Sequence, residues 1–204
     1  LLERRAQFAM FGGVRFGGTL NIDEAFAGGF DHIALCAGAG RPTVLETIPN
    51  GFARGVRAAS DFLMALQLTG AAKRESIANL QIRLPIVVIG GGLTAIDTAT
   101  ESLAYYAVQV EKFLARWEAL EEKPGWNAEE RAIAEEFIAH AKALRKAKPE
   151  DRLSLLKSWG GSTIAYRRRM VDSPSYTLNH EEVAKALEEG IVFKESLAPE
   201  RIEV

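Results

Sequence analysis

One cysteine, Cys36, is the whole thiol content of this sequence. A single thiol excludes an internal disulfide, a C-x-x-C redox pair and an iron–sulfur cluster of the chain's own. Cys36 stands in an apolar run, Ile33-Ala34-Leu35-Cys36-Ala37, which predicts a small buried hydrophobe. No export signal opens the chain: Leu1-Leu2-Glu3-Arg4-Arg5 has the wrong pattern, and with cysteine so sparse this points to the cytoplasm. An initiator Met is also missing, which leads us to expect a piece of a longer protein. The longest apolar runs are far too short for a transmembrane helix, so no membrane span is expected. Positive charge is in no surplus. The formal net charge is −2 and the pI about 6.0, so no global basic field exists to hold nucleic acid. His32, His140 and His180 lie far apart without metal-ligand spacing, and each is expected on the surface or ordinarily packed. No G-x-S-x-G elbow and no Cys–His pairing pattern is present.

The residues that are present describe a globular α/β chain. Of 204 residues, 48% are hydrophobic and 25% charged, enough for a real core. In the first thirty residues a short strand is predicted near Val14 to Phe16. A short helix over Asp23-Glu24-Ala25-Phe26 follows, with an acidic first turn. Asp31 to Ala37 reads as a buried strand closed by Gly38-Ala39-Gly40, with Arg41-Pro42 as a turn. Asp61 to Leu68 is amphipathic through Phe62, Leu63, Leu66 and Leu68, with Ser60 as cap and Gly70 as terminator. Residues 71–84 form a polar connection.

Pro85-Ile86-Val87-Val88-Ile89 is a β-branched run ending in three glycines and gives the clearest strand. A helix is predicted from Thr94 to about Glu122. A second spans about 128–147, with Asn127 and Glu130 spaced as a capping box. Glu150 to Ser158 adds a short third. Stripes at helical spacing (Phe113, Trp117, Leu120; Ile133, Phe137, Ala141, Leu144) read as core, and the two long helices as a hairpin projecting from the domain. A second strand, Ser162 to Tyr166, a helix over about 180–189 capped by Asn179, and a third strand, Ile191-Val192-Phe193, complete the pattern. The order βαβαβ predicts a Rossmann-like parallel sheet, one mononucleotide-binding half, with a helical insertion at about 107–158.

The sharpest motif is G-x-G-x-x-A at Gly90, Gly92 and Ala95. The first glycine permits a tight turn out of the strand. Gly92 presents no side chain to a pyrophosphate, and Ala95 lets the helix pack close to the sheet. The helix start offers free N–H groups to phosphates. The strand directly before and the helix directly after supply the context this pattern needs. An NAD-binding protein would carry an acid about 20 residues on, to hold the ribose hydroxyls. That count lands at Glu111 and Lys112, inside the helix. The delayed second strand instead ends in Tyr166-Arg167-Arg168-Arg169. Guanidinium groups suit a 2′-phosphate, which favours NADPH over a merely solvated basic turn.

These segments resemble a known family. Gly90-Gly91-Gly92-Leu93-Thr94-Ala95-Ile96-Asp97 resembles the GGGxTAxD loop of the glutamate synthase small (beta) subunit and its relatives, including the reductase part of dihydropyrimidine dehydrogenases. Ala165-Tyr166-Arg167-Arg168 resembles their YRR strand. Glu182-Val183 through Glu188-Glu189-Gly190-Ile191-Val192-Phe193 resembles their E-V…EEGVxF stretch. Phe30 through Ala39 resembles the strand that returns to the flavin domain. The resemblance implies a fragment of a flavoprotein with two dinucleotide-binding domains: residues 1–80 from the flavin domain and connection, and 81–204 an incomplete NADP(H)-binding domain. It implies hydride transfer from NADPH to FAD and onward to an electron-accepting subunit or domain. Gly90, Gly91, Gly92, Leu93, Thr94 and Ala95 would hold the pyrophosphate and Arg167 and Arg168 the 2′-phosphate. Ala37 and Gly38 would lie near FAD in the intact protein. Asp97 matches the motif without an assignable role. The sequence departs from the family in lacking a primary FAD loop before residue 30 and a cysteine-rich iron–sulfur segment, and in its helical insertion. A non-catalytic NADP(H)-binding or sensing module, acting through a helical interaction surface, is the alternative. A structural domain with a degenerate loop is the third.

Overall fold

The computed structural model describes residues 5–36, 48–122 and 124–203. The chain divides into two compact units, Leu1–Arg41 and Pro42–Val204. Among its described residues the first holds one helix, α1 (Ile22–Ala27). Asn21 and Glu24 close a reciprocal capping box at its start, each side chain accepting from the other's backbone N–H. Among the described residues of this unit Ala25 is the buried hydrophobe, while Met10, Phe11, Phe30 and Leu35 are exposed. Two strand expectations fail here. Near Val14–Phe16 only an isolated bridge between Phe16 and Leu20 forms, and residues 31–36 form no strand. Strand formation needs a partner, and an apolar run without one has nowhere to place its N–H groups. Cys36 is exposed rather than buried for the same reason. Ala37 and Gly38, with the rest of the expected turn through Pro42, lie outside the described residues.

The second unit is a mixed α/β structure around a small three-stranded parallel sheet. Its elements are α2 (Ala59–Leu68), β1 (Ile86–Ile89), α3 (Leu93–Ala119), α4 (Ala128–Lys146), α5 (Arg152–Ser158), β2 (Ser162–Ala165), α6 (Pro174–Glu188) and β3 (Val192–Lys194). Strand order is β1-β2-β3, with Ile86 opposite Ser162 and Thr163 opposite Val192. Val88 and Ile164 on one sheet face are buried with Ala95, Ile96 and Ala99 of α3 and Val183 and Ala186 of α6. That cluster runs on without a break through Leu103, Tyr106, Val110 and Leu114 of α3 to Ile133, Phe137, Ala141 and Leu144 of α4. The hairpin is therefore continuous with the domain core rather than a projection from it. Its ends are tied by Arg145, which bonds both Glu111 and Glu118. Asn127 and Glu130 form the expected capping box. Leu120, placed by periodicity on the core stripe, lies beyond the end of α3 and is exposed.

α2 ends in a glycine cap. Gly70 takes the left-handed φ of 57°, its N–H donates to the Gln67 carbonyl, and the N–H of Ala71 donates back to Leu66. Ser60 does not cap this helix. It lies in the first turn with its hydroxyl buried and unpartnered among the described residues, and Leu68 is exposed. α6 begins at Pro174 rather than 180. Ser173 is its N-cap and Pro174 its first residue, the favoured place for proline. Asn179 has non-helical dihedrals (φ −148°, ψ 62°) and marks a kink inside the helix instead of its start.

A polar stripe on α3 fastens the connection 71–83. Residues 105, 109, 112 and 116 recur at intervals of four, three and four, so they share one helix face. The Tyr105 hydroxyl accepts from the Leu80 N–H. The Gln109 carboxamide exchanges two hydrogen bonds with the backbone of Ile82, at 3.0 and 2.8 Å. Lys112 is buried, and its ammonium donates to the carbonyls of Ala71, Ser76 and Ala78 at 2.6–3.1 Å. Burial pushes its pKa down, and Arg116 adds to that. Bonds to a charged group contribute about 1.5–3 kcal/mol each, which offsets the cost of burying the ammonium.

Candidate functional site

The carboxyl ends of the three parallel strands, where ligands of open α/β sheets sit, carry the β1–α3 loop and the segment after β2. Gly90 extends the ladder, donating to the Ala165 carbonyl at 3.1 Å, and then turns with φ 153°. A Cβ on Gly90 would stand 3.4 Å from that of Ala95, so small residues at both positions let α3 start close against the strand. Gly92 is the N-cap of α3 in an extended conformation, and nothing lies within 4 Å of where its Cβ would be. Its carbonyl accepts from Ala95 and Ile96. The N–H groups of Leu93 and Thr94 have no partner among the described residues, and no side chain caps the helix. Leu93 and Thr94 are exposed.

Gly91 is held in a way its motif position does not announce. A Cβ there would lie 2.5–2.7 Å from the Tyr166 ring. Its carbonyl accepts from the Ser175 backbone N–H at 3.2 Å and from the Ser175 hydroxyl at 2.9 Å. Ser173 and Ser175 are fully buried and their hydroxyls stand 3.1 Å apart. The loop is thus clamped between Tyr166 at the end of β2 and Ser175 at the start of α6. Sequence reasoning missed Ser173 and Ser175. The Ser-Pro helix start was the available signal.

The three arginines separate. Arg169 makes a two-pronged ion pair with Asp172 at 2.8 and 3.0 Å. Its guanidinium holds the Asp172 carboxyl below the usual carboxylate range. Arg167 and Arg168 are exposed, and their side chains have no ion pair or hydrogen bond among the described residues. The backbone around them is nevertheless fixed: Ser196 donates to the Arg168 carbonyl, and Leu197 to that of Tyr166. Asp97, in the first turns of α3, has its carboxyl pushed up by burial and by Glu182. Glu111 is engaged with Arg145, far along α3 from the loop. Among the described residues no group of His, Cys, Asp and Glu could hold a metal ion. His32 and His180 are exposed, and His140 stacks on Trp159 and bonds the Tyr106 hydroxyl.

Fold and site together define a mixed α/β protein with a glycine loop and an uncapped helix start at the head of the longest helix among the described residues. No helix among the described residues is long and apolar enough to cross a membrane. The chain is 47% identical over 205 residues to the uncharacterized protein RP006 of Rickettsia prowazekii (strain Madrid E). The match covers all of this chain but 28% of that relative's length. No protein-family model and no solved structure matches it.

Proposed function

We propose that this chain is the NADPH-binding part of a larger flavin-dependent oxidoreductase similar to the glutamate synthase small subunit. The observation that carries the reading is the arrangement at the sheet's carboxyl end: an uncapped α3 N-terminus behind an open Gly92, and Arg167 and Arg168, exposed and without an ion pair among the described residues, on the segment after the neighbouring strand β2. The strand order β3-β2-β1 is that of one half of a dinucleotide-binding sheet. Two free N–H groups and a helix dipole suit a pyrophosphate, and two free guanidiniums suit a 2′-phosphate. The residues present therefore fit NADPH. When bound, NADPH supplies a hydride, which on this reading goes to FAD elsewhere in the intact protein and on to an electron-accepting partner. This chain's residues bind and orient the donor, which is the protein's share of cofactor chemistry. The sensing module is the second reading. It is favoured by one observation: α3 runs unbroken from the loop into the hairpin.

The test is the ratio of NADPH to NADH affinity, measured by titration at fixed salt. The double variant Arg167→Ala/Arg168→Ala should weaken NADPH by about tenfold or more, since ~1.4 kcal/mol is one decade and each charge-assisted bond contributes about 1.5 kcal/mol at an exposed site. NADH should change little. Equal binding of both nucleotides by the unaltered chain, or equal weakening in the variant, overturns the cofactor assignment. In the intact protein, reduction of a bound flavin by NADPH separates the oxidoreductase from the sensor.

A further inference from the structure

The connection 71–83 presents different residues to its two sides. Ala78, Leu80 and Ile82 pack against the cluster of Phe62, Leu66 and Tyr105. Asn79 and Gln81, which alternate with them, line a cleft of about 240 Å³ together with Phe113 of α3, Trp126, and Glu130 and Phe137 of α4. Three of these residues are aromatic. Phe113 and Phe137 stand edge to face, 5.6 Å apart at 83°. Trp126 lies within 27° of parallel to Phe113 at 6.3 Å and is stacked on Trp117 at 4.5 Å. The polar lining is equally fixed. The Asn79 Oδ1 accepts from the Gln81 N–H at 2.9 Å, and the Glu130 Oε2 accepts from the Asn127 N–H at 2.9 Å. The Gln81 carboxamide and the second Glu130 oxygen have no hydrogen bond among the described residues. Gln81 also takes a left-handed φ of 50°, a conformation that is uncommon for a residue with a Cβ and that clusters at ligand sites.

We propose that this cleft binds a small organic ammonium with an apolar body of about one or two rings. Size sets the first limit. Sites for drug-sized ligands run to roughly 300–1,000 Å³, so this smaller space takes a smaller body. Charge sets the second. Glu130 is the one charged residue of the lining, so an anion is repelled and a cation is matched. The rings serve both parts of such a ligand. They bury its body edge to face, and their faces attract a cation within about 6 Å of the centroid. The N–H groups of an ammonium then have the free oxygens of Gln81 and Glu130 to donate to, as charge-assisted hydrogen bonds. This site is separate from the glycine loop, since Phe113 lies roughly 30 Å along α3 from Leu93 at about 1.5 Å per residue. The proposal therefore does not rest on the NADPH reading.

The test is calorimetric titration of the full polypeptide, without nucleotide, by ligands that share a body and differ in charge: 2-phenylethylammonium, 2-phenylethanol and 3-phenylpropanoate. The ammonium should bind saturably and about tenfold tighter than the alcohol, the size of one charge-assisted hydrogen bond, and the carboxylate should bind least. Glu130→Gln keeps an acceptor for the Asn127 N–H in the capping box and removes the charge. It should lower the affinity for the ammonium about tenfold, to that for the alcohol, and leave the alcohol unchanged. Trp126→Leu should weaken both alike, and Glu130→Gln decides the matter if that variant does not fold. Equal binding of all the ligands, no saturable binding, a preference that survives Glu130→Gln, or a folded Trp126→Leu protein that binds as before overturns the proposal. So does displacement of the ammonium by NADPH, which would put it at the glycine loop instead.

Discussion

α3 and α6 both begin at the carboxyl end of the same sheet, and their first turns are treated in opposite ways. At α6 the buried Ser173 hydroxyl accepts from the Tyr176 N–H, and the Ser175 N–H goes to the Gly91 carbonyl. Its positive end is engaged by protein. At α3 the N-cap is a glycine with no side chain to offer, and the Leu93 and Thr94 N–H groups have no partner among the described residues. A glycine in place of a capping side chain forgoes a few tenths of a kcal/mol. A protein that caps one helix with a buried serine and leaves its neighbour bare has kept the second end open at a cost in stability. The closed end also holds the open one in place, because Ser175 reaches the loop that precedes α3.

The strongest way to break this contrast is to close the open end. Gly92 has φ −92° and ψ 174°, which any residue adopts, and free space around its Cβ. Gly92→Asp should therefore cap α3 and raise stability by a few tenths of a kcal/mol, since the gain of aspartate over glycine at a cap is about that size. The same carboxylate would take the N–H groups from a phosphate and repel it. Loss of two charge-assisted bonds at about 1.5 kcal/mol each corresponds to a drop in NADPH affinity of about a hundredfold or more. Thermal unfolding and nucleotide titration should thus move in opposite directions. A variant that binds as tightly as before shows that the open end is not the phosphate site.

Next in size is Gly91→Ala, which acts on the clamp. The new methyl meets the Tyr166 ring at 2.5–2.7 Å, so ring or loop must shift. Overpacking of this kind costs about 1–3 kcal/mol. Combining it with Tyr166→Ala should recover much of that loss, and a double-mutant cycle on unfolding free energy measures the coupling. Additive effects would mean that the ring does not hold the loop.

How much of this was legible follows from where each signal lies. β1 and the loop after it could be read because run, glycines and helix start are adjacent in sequence, and the strand bounds matched to a residue. The capping box at Asn127 and Glu130 is local in the same way. The 31–36 run was misread because a strand depends on a partner that the run does not contain. The start of α6 was misplaced because Asn179, a good cap by type, outweighed the Ser173-Pro174 pair. The structure retains both signals, one as the cap and the other as a kink. Lys112 was read only as a residue at the wrong place for a ribose contact. Its carbonyl partners lie 34–41 residues away, beyond any local pattern. Arg169 was grouped with its neighbours, yet its own Asp172, three residues on, already offered the pairing that removes it.

The smallest expected effect sharpens the contrast from the closed side. Ser175→Ala removes the hydroxyl that donates to the Gly91 carbonyl at 2.9 Å and lies 3.1 Å from the Ser173 hydroxyl. It leaves the Ser175 backbone N–H on the same carbonyl at 3.2 Å, so Gly91 keeps one donor. Nor does it touch the α6 cap, since Ser173 still accepts from Tyr176. Two buried hydrogen bonds are therefore lost, and although the Gly91 carbonyl stays satisfied the Ser173 hydroxyl loses its acceptor, a change of about 1–2 kcal/mol, or roughly 2–8 °C in Tm for a domain of this size. The consequence for binding is indirect. The loop keeps its backbone donors but is held less firmly, so NADPH and NADH should weaken together, by less than about tenfold. Their ratio should stay fixed, unlike the ratio in the arginine double variant. A loss of nucleotide affinity as large as that of Gly92→Asp would mean that the α6 start is itself part of the ligand site and that the two helix ends act as one.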